Sequence, residues 1–277
     1  MLKPLPVPFV DSVFHPTDLS DASDRAFAHA LAVALVRRTA LTIYHVGSDP
    51  TSEWEKLPPV RRTLERWGLL QPGSARSAVM DELSVSVTKV HAEGRPVRAC
   101  FEEIEKREPE LVVLATEGRD GLARWLRPSV AERIARRSGA MTLFVPSDGR
   151  GFVDPADGHL TLRRVLIPVD DRPDPRPAIV RATRAAAALG EAPVLIELLR
   201  VGADPVAPEL PESDAWRLEL QRRDGDVVEN ILAAAQDADL IVMPTDGRDG
   251  VLDVFRGSHT ERVVRSAPCP VLAVPSA

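Results

Sequence analysis

The chain of 277 residues carries a formal net charge of −6 and is 44% hydrophobic but only 4% aromatic, which fits roughly two globular domains with aliphatic cores. The negative charge opposes non-specific binding to nucleic acid or to anionic membranes. No apolar run is long enough for a membrane span, and no N-terminal stretch looks like a secretory signal. These features exclude membrane and secreted classes and predict a cytoplasmic protein without nucleic-acid or membrane partners.

The first half alternates apolar strands with helices whose apolar residues recur every three or four positions. The predicted elements are strand 12–16, helix 20–38, strand 41–46, an added helix at 59–68, helix 75–83, strand 84–92, helix 96–107, strand 111–115, helix 129–137 and strand 141–145. The added helix lies within an insertion at about 47–80, and Val60, Leu64 and Trp67 form its apolar stripe. This stripe needs a partner surface. Because the insertion follows the second strand, it begins at the carboxyl edge of the first-half sheet, and it is expected to cover that edge and restrict access to it.

The second half repeats the plan without the insertion. Its predicted elements are strand 164–169, helix 177–189, strands 193–199 and 216–223, helix 226–236, strand 240–244, helix 258–265 and strand 270–274. The strands are read as continuous apolar runs, which predicts that both of their faces are buried. Strands separated by helices predict parallel sheets with right-handed crossovers.

An internal repeat divides the chain. Residues 110–121 reappear at 239–250, and residues 128–146 align without a gap to 257–275. The repeat predicts two tandem α/β domains, each a doubly wound five-stranded parallel sheet: residues 1–148, a polar linker at 149–161, and residues 162–277.

A ligand site is expected outside the carboxyl ends of the strands, where the winding direction of an open parallel sheet reverses. In each half, an aspartate follows the first strand, and a Gly-Arg-Asp-Gly loop follows the fourth. The next helix begins at Ser129 or Ser258, so its positive dipole end faces the same crevice. Clustered backbone N–H groups, glycines and a helix N-terminus are suited to polyphosphate.

In these motifs the chain resembles the universal stress protein family in its tandem two-domain form. Nucleotide-binding members carry a glycine, two residues, a second glycine, nine residues, and a third glycine followed by Ser or Thr. The resemblance implies strand order 3-2-1-4-5 in each half, as in adenine nucleotide alpha hydrolase-like folds. It also implies nucleotide-binding positions at Asp18, Val46, Gly118 and Ser129 in the first half and at Asp170, Val201, Gly247, Gly257 and Ser258 in the second.

Three positions depart from that pattern. Pro244 replaces the first glycine of the second half, whereas Ala115 and Pro128 replace the first and third glycines of the first half. Proline has no N–H to donate, so binding is expected to be weaker than with all three glycines and to favour the second half slightly. A structural alternative stays open: the serines and aspartates of the motifs serve as helix caps.

Three functions stay open from the sequence. The first is binding of ATP or a related adenine nucleotide without a dedicated catalytic reaction, with Mg²⁺ entering only together with the nucleotide. The second is a nucleotide-free scaffold of the same fold, and the third is a slow ATPase. Enzyme motifs are not found, so no catalytic residue is predicted.

The remaining expectations concern metals, cysteines and strand pairing. The six histidines show no metal-ligand spacing, and His15 and His45 are expected to be packing residues at strand ends. Cys100 and Cys269 are expected to be buried and free. In the family, single domains pair through their last strands; here Thr142–Val145 and Val271–Val274 are expected to form an intrachain pseudo-dimer, and a homodimer of chains is left open.

Overall fold

The computed structural model describes residues 9–116, 140–204, 213–245 and 259–276, together with residues 208 and 210. The elements of the first half are β1 (Ser12–Thr17), α1 (Asp21–Arg37), β2 (Ala40–Val46), α2 (Pro50–Lys56), α3 (Val60–Arg66), α4 (Ala78–Asp81), β3 (Val87–Ala92), α5 (Pro96–Arg107), β4 (Leu111–Thr116) and β5 (Met141–Pro146). Those of the second half are β6 (Leu162–Pro168), α6 (Arg176–Leu189), β7 (Gly190–Val201), β8 (Trp216–Arg223), α7 (Val227–Ala234), β9 (Leu240–Thr245), α8 (His259–Ser266) and β10 (Val271–Pro275).

The ten strands of the described residues form one sheet in the order β3-β2-β1-β4-β5-β10-β9-β6-β7-β8. Within each half the order is 3-2-1-4-5, and every pairing inside a half is parallel. The predicted fold class is therefore confirmed. The halves meet where β5 and β10 pair antiparallel, with Leu143 opposite Leu272.

Helices cover both faces of the sheet. On one face α1 and α6 contact each other and bury residues such as Leu31 and Ala182 against the strands. On the other face α5 and α7 bury residues such as Ile104 and Ile231. Both cysteines are buried and free, as predicted. Among the described helices, none combines the length and apolar character required to cross a membrane.

The outer strands correct one prediction, because β3 and β8 are not buried on both faces. The strand β8 alternates half-buried with exposed residues, and Leu220 is 43% exposed. These strands lie at the two edges of the sheet, where each has a single neighbour. Charged side chains on an edge strand oppose pairing with other chains, which explains the arginine-rich sequence of β8.

The insertion contains helices α2, α3 and α4, and it packs against the linker. Val60, Leu64 and Trp67 are all buried. The indole Nε1 of Trp67 donates to the carbonyl of Pro155 at 3.1 Å. A Cβ at Gly158, whose φ is +76°, would lie 2.5 Å from the same indole. The linker is thus one of the partner surfaces that the apolar stripe of α3 requires.

The linker also contacts both halves. Arg25 of α1 donates to the carbonyl of Gly149. Arg150 donates to the carbonyls of Ala235 and Ala238, each at 3.0 Å, at the carboxyl end of α7. The start of the linker, at Gly149 and Arg150, is therefore held by hydrogen bonds to both halves.

Candidate functional site

The winding direction reverses between β1 and β4 in the first half and between β6 and β9 in the second. Asp18 directly follows β1, and Val46 ends the neighbouring strand β2. Asp170 follows β6, and Val201 ends β7. The register of the parallel strands places each aspartate beside the end of its neighbour, so each half brings its two predicted residues to one edge of the sheet.

Asp18 is a half-buried carboxylate held by the first turn of α1. Its Oδ1 accepts hydrogen bonds from the backbone N–H of Ser20 at 3.0 Å and from the hydroxyl of Ser23 at 2.7 Å. Burial raises the pKa of Asp18, but the hydrogen bonds from Ser20 and Ser23 outweigh burial, so the pKa lies below its ordinary value. The other oxygen, Oδ2, accepts no hydrogen bond from the described residues. Asp18 therefore serves the helix start and still offers an acceptor.

Asp170 has a different environment. Its side chain is 73% exposed and lies 3.7 Å from the Arg200 guanidinium. Arg200 also contacts the Asp171 carboxylate at 2.8 Å. Val201 is half-buried, whereas Val46 is only 5% exposed. At these positions the second half is thus the more exposed of the two.

The predicted phosphate-binding residues cannot be placed. Gly118 and Ser129 of the first half, and Gly247, Gly257 and Ser258 of the second, lie outside the described residues, as does Pro128. Ala115 and Pro244 are the last but one residues of β4 and β9. Pro244 is buried within β9 and pairs in register with Val274 of β10. It offers no N–H to a ligand at the end of this strand.

A second group of candidate functional side chains lies beside the end of β2, formed by His45, Glu53 and His91. His45 of β2 is directly opposite His91 of β3, and their ring centroids are 5.5 Å apart. Glu53 of α2 reaches both rings: its Oε2 lies 2.8 Å from Nε2 of His91 and 3.6 Å from Nε2 of His45. The three ligand atoms lie within 4.8 Å of one another, so these residues could hold a metal ion.

Burial and hydrogen bonds fix this cluster in place. The side chains of His45 and His91 are 7% and 5% exposed. The hydrogen bond from His91 is the main reason that the pKa of Glu53 lies below its ordinary value. A Cβ at Gly47 would lie 1.8 Å from Oε2 of Glu53. Glycine at this position therefore leaves the space that the carboxylate occupies.

The sequence analysis missed this cluster because its members come from three separate elements. His45 is buried at a strand end, as expected, but its Nε2 faces Glu53 and has no hydrogen-bond partner among the described residues. A spacing search cannot find a group that depends on the register of β2 against β3. The available signal was indirect: the insertion begins at the carboxyl end of the strand that carries His45.

Two other histidines are packing residues of the core. His15 and His29 are fully buried, and their Nδ1 atoms lie 3.0 Å and 2.8 Å from the carbonyls of Val113 and Arg25. Burial lowers the pKa of each ring to about 4. Both imidazoles are therefore neutral at neutral pH.

A groove of about 310 Å³ lies elsewhere, between α7 and α8. Leu232 and Arg262 belong to its lining, and none of the predicted nucleotide positions among the described residues does. The lining combines charged side chains with apolar ones.

Comparisons with known proteins agree with the fold. The model of the universal stress protein family matches residues 11–146 and 215–275. A universal stress protein of Mycobacterium tuberculosis is 27% identical over 292 aligned positions, which cover 92% of this chain and 94% of the relative. One from Methanocaldococcus jannaschii is 29% identical over 137 positions, covering 47% of this chain and 78% of the relative.

One solved structure is similar to this protein along nearly the whole length of the chain. The crystal structure of a universal stress protein from Archaeoglobus fulgidus aligns with a TM-score of 0.60 and 17% identity. The alignment covers 96% of this chain and 98% of the other. At this level of identity the likeness concerns the fold.

Proposed function

The chain belongs to the universal stress protein family, and we propose that it acts in a stress response in the cytoplasm by binding ATP or a related adenine nucleotide without a dedicated catalytic reaction. The binding unit would be a pair of tandem domains, residues 1–148 and 162–277, joined by the linker 149–161. Pairing of β5 with β10 would make the two domains an intrachain pseudo-dimer, and Mg²⁺ would enter only together with the nucleotide.

One observation carries the proposal: each half has an aspartate within two residues of the end of its first strand, at the point where the winding of a 3-2-1-4-5 sheet reverses. Ligands of open parallel sheets bind at this point. In the first half Asp18 offers a carboxylate whose Oδ2 accepts no hydrogen bond from the residues that the structure describes. A carboxylate there is suited to accept hydrogen bonds from the hydroxyl or amino groups of a nucleoside.

We assign the stronger binding to the second half. The Asp170 side chain is exposed, and the sequence of the second half has no counterpart of the insertion. In the first half, α2 places Glu53 against His45, the residue before Val46. The sequence of the second half also keeps Gly247, Gly257 and Ser258, whose N–H groups would contact phosphate.

Titration calorimetry of the full chain with MgATP tests the proposal, with matched variants in the two halves. Gly247→Val is expected to abolish measurable binding because a branched side chain blocks close approach of backbone to phosphate. Gly118→Val, its counterpart in the first half, is expected to leave the affinity within about threefold of the unsubstituted protein, a shift of less than about 1 kcal/mol. Equal loss in both variants would refute the assignment to the second half.

The nucleotide-free scaffold is the second candidate, and Pro244 is the observation that favours it. This residue removes a backbone donor at the end of β9, where the family pattern has its first glycine. A scaffold would act through its helix surfaces and its outer strands. Mass spectrometry of the natively purified protein separates the candidates: adenine nucleotide bound near one equivalent supports nucleotide binding, whereas its absence together with a flat MgATP titration supports the scaffold.

A further inference from the structure

We propose that His45, Glu53 and His91 form a binding site for a divalent transition-metal cation of the Zn²⁺ class. The site joins the insertion helix α2 to strands β2 and β3 and does not depend on nucleotide binding. It differs from the Mg²⁺ that would accompany ATP in position and in donor chemistry.

The geometry of the three donors is close to that of a metal centre. Zinc is bound tetrahedrally by imidazole nitrogens and carboxylate oxygens at about 2.0–2.1 Å, which places neighbouring donors about 3.3 Å apart. The distances from Oε2 of Glu53 to the two imidazole nitrogens, 2.8 Å and 3.6 Å, lie on either side of this value. The ligand atoms of the two histidines lie within 4.8 Å of each other, so the side chains would draw together around the ion, and three protein ligands leave the fourth position for water.

His45 provides the second, independent observation. Its Nδ1 lies 2.8 Å from the carbonyl oxygen of Thr17, which can only accept a hydrogen bond, so Nδ1 carries the proton. In the neutral ring, Nε2 then bears a lone pair, and this buried atom finds no hydrogen-bond partner in the part of the chain that the structure describes. The lone pair faces the Glu53 carboxylate, another group that only accepts. A cation between the two atoms satisfies both of them.

The surroundings of His45 are those of a metal ligand. A histidine that binds a metal through one nitrogen commonly donates its other N–H to a backbone carbonyl, which fixes the ring and its tautomer. The hydrogen bond to Thr17 does this for His45. His91 currently directs Nε2 at Glu53, and it would bind metal in its other neutral tautomer, with the proton on Nδ1.

The donor set also selects the kind of cation. Two imidazoles with one carboxylate favour zinc, copper, nickel or iron, whereas magnesium and calcium prefer sites made of oxygen atoms. Glu53 is 22% exposed, so solvent reaches the cluster from the side of α2. A bound ion would hold α2 over the edge of the sheet, next to the end of β2.

Titration calorimetry of Zn²⁺ into the untagged, metal-stripped full chain tests the site, with Mg²⁺ as a comparison cation. We expect one Zn²⁺ per chain, no comparable Mg²⁺ binding, and a higher Tm with Zn²⁺ than without. Glu53→Gln and His91→Gln should each weaken Zn²⁺ binding at least tenfold and remove most of the rise in Tm. Glu53 lies on the insertion helix α2, and glutamine keeps the shape of its side chain. Glu53→Gln is therefore expected to fold even if the variant at the buried His91 does not.

His159→Gln is the matched control because it removes another histidine–glutamate contact, with Glu191 at 3.1 Å, on the protein surface. It should leave Zn²⁺ affinity unchanged. Co²⁺ adds a spectroscopic readout, since a site of low coordination gives visible absorption bands that Glu53→Gln should abolish. The proposal is overturned if the unsubstituted chain binds no Zn²⁺ saturably, or if Glu53→Gln binds it as tightly as the unsubstituted chain.

Discussion

Replacing Gly158 by alanine is expected to destabilise the protein for two separable reasons. Its φ of +76° lies in the left-handed region, and a Cβ there would meet the Trp67 indole at 2.5 Å. Gly73 provides a matched control, because its φ is +80° but its Cβ would find nothing within 4 Å. Gly73→Ala therefore measures the backbone cost alone.

The magnitude follows from these two contributions. A left-handed conformation costs a non-glycine residue about 1–2 kcal/mol, and this is expected for both variants. Overpacking a filled site adds about 1–3 kcal/mol, and this is expected only at Gly158, where the buried indole is also held by its hydrogen bond to Pro155. Gly158→Ala should thus lower the free energy of unfolding by about 2–5 kcal/mol and Gly73→Ala by about 1–2 kcal/mol.

Urea denaturation followed by circular dichroism measures both variants. Trp67→Leu removes the ring atoms that the new Cβ would meet, so in that background Gly158→Ala should cost no more than Gly73→Ala. The double-mutant cycle then gives the coupling between positions 67 and 158 directly. Equal destabilisation by the two glycine variants in the unsubstituted protein, or no coupling in the cycle, would refute the packing of the insertion against the linker.

Three further predictions concern other parts of the molecule. His29 is fully buried and has a pKa of about 4, so as the pH falls this histidine is protonated in the unfolded chain before it is protonated in the folded one. The free energy of unfolding should therefore drop by about 2 kcal/mol from pH 7 to pH 5 through this residue. In urea denaturation, His29→Gln should show a correspondingly smaller drop. Arg150→Ala should lower Tm by a few degrees because two hydrogen bonds to the end of α7 are lost, whereas Arg98→Ala, which removes an exposed pair with Glu102, should leave Tm unchanged. Deleting residues 50–73 should lower Tm and increase binding of a hydrophobic dye, since Leu64 and Trp67 would no longer cover apolar surface; an unchanged Tm would contradict the covering role of the insertion.

The fold was predictable because several sequence signals point to the same elements. The repeat between residues 110–121 and 239–250 indicates two copies of one topology, and the helix predicted at 96–107 has the same bounds in the structure. The prediction failed for the outer strands. The sequence of β8 alternates apolar with charged or polar residues, a pattern that indicates at most one covered face. Leu220 lies on the apolar face and is still 43% exposed, because this strand lies at the edge of the sheet.

The candidate sites were predictable only in part. A residue that follows a first strand lies at the carboxyl edge of any doubly wound sheet, so Asp18 could be placed from sequence. The cluster of His45, Glu53 and His91 could not be placed. It requires the pairing of His45 with His91 across two strands and the angle at which α2 returns over them. Neither is encoded in spacing along the chain.

The antiparallel pairing of β5 with β10 joins two halves of a single chain. This affects whether their association depends on protein concentration and whether the two halves must be identical. Because both strands belong to one polypeptide, their association is unimolecular and persists at any dilution. In a symmetric pair of identical chains, an insertion after the second strand would appear at both ends of the sheet. Here the covalent link confines α2, α3 and α4 to one end, so each half is free to acquire substitutions that the other does not carry.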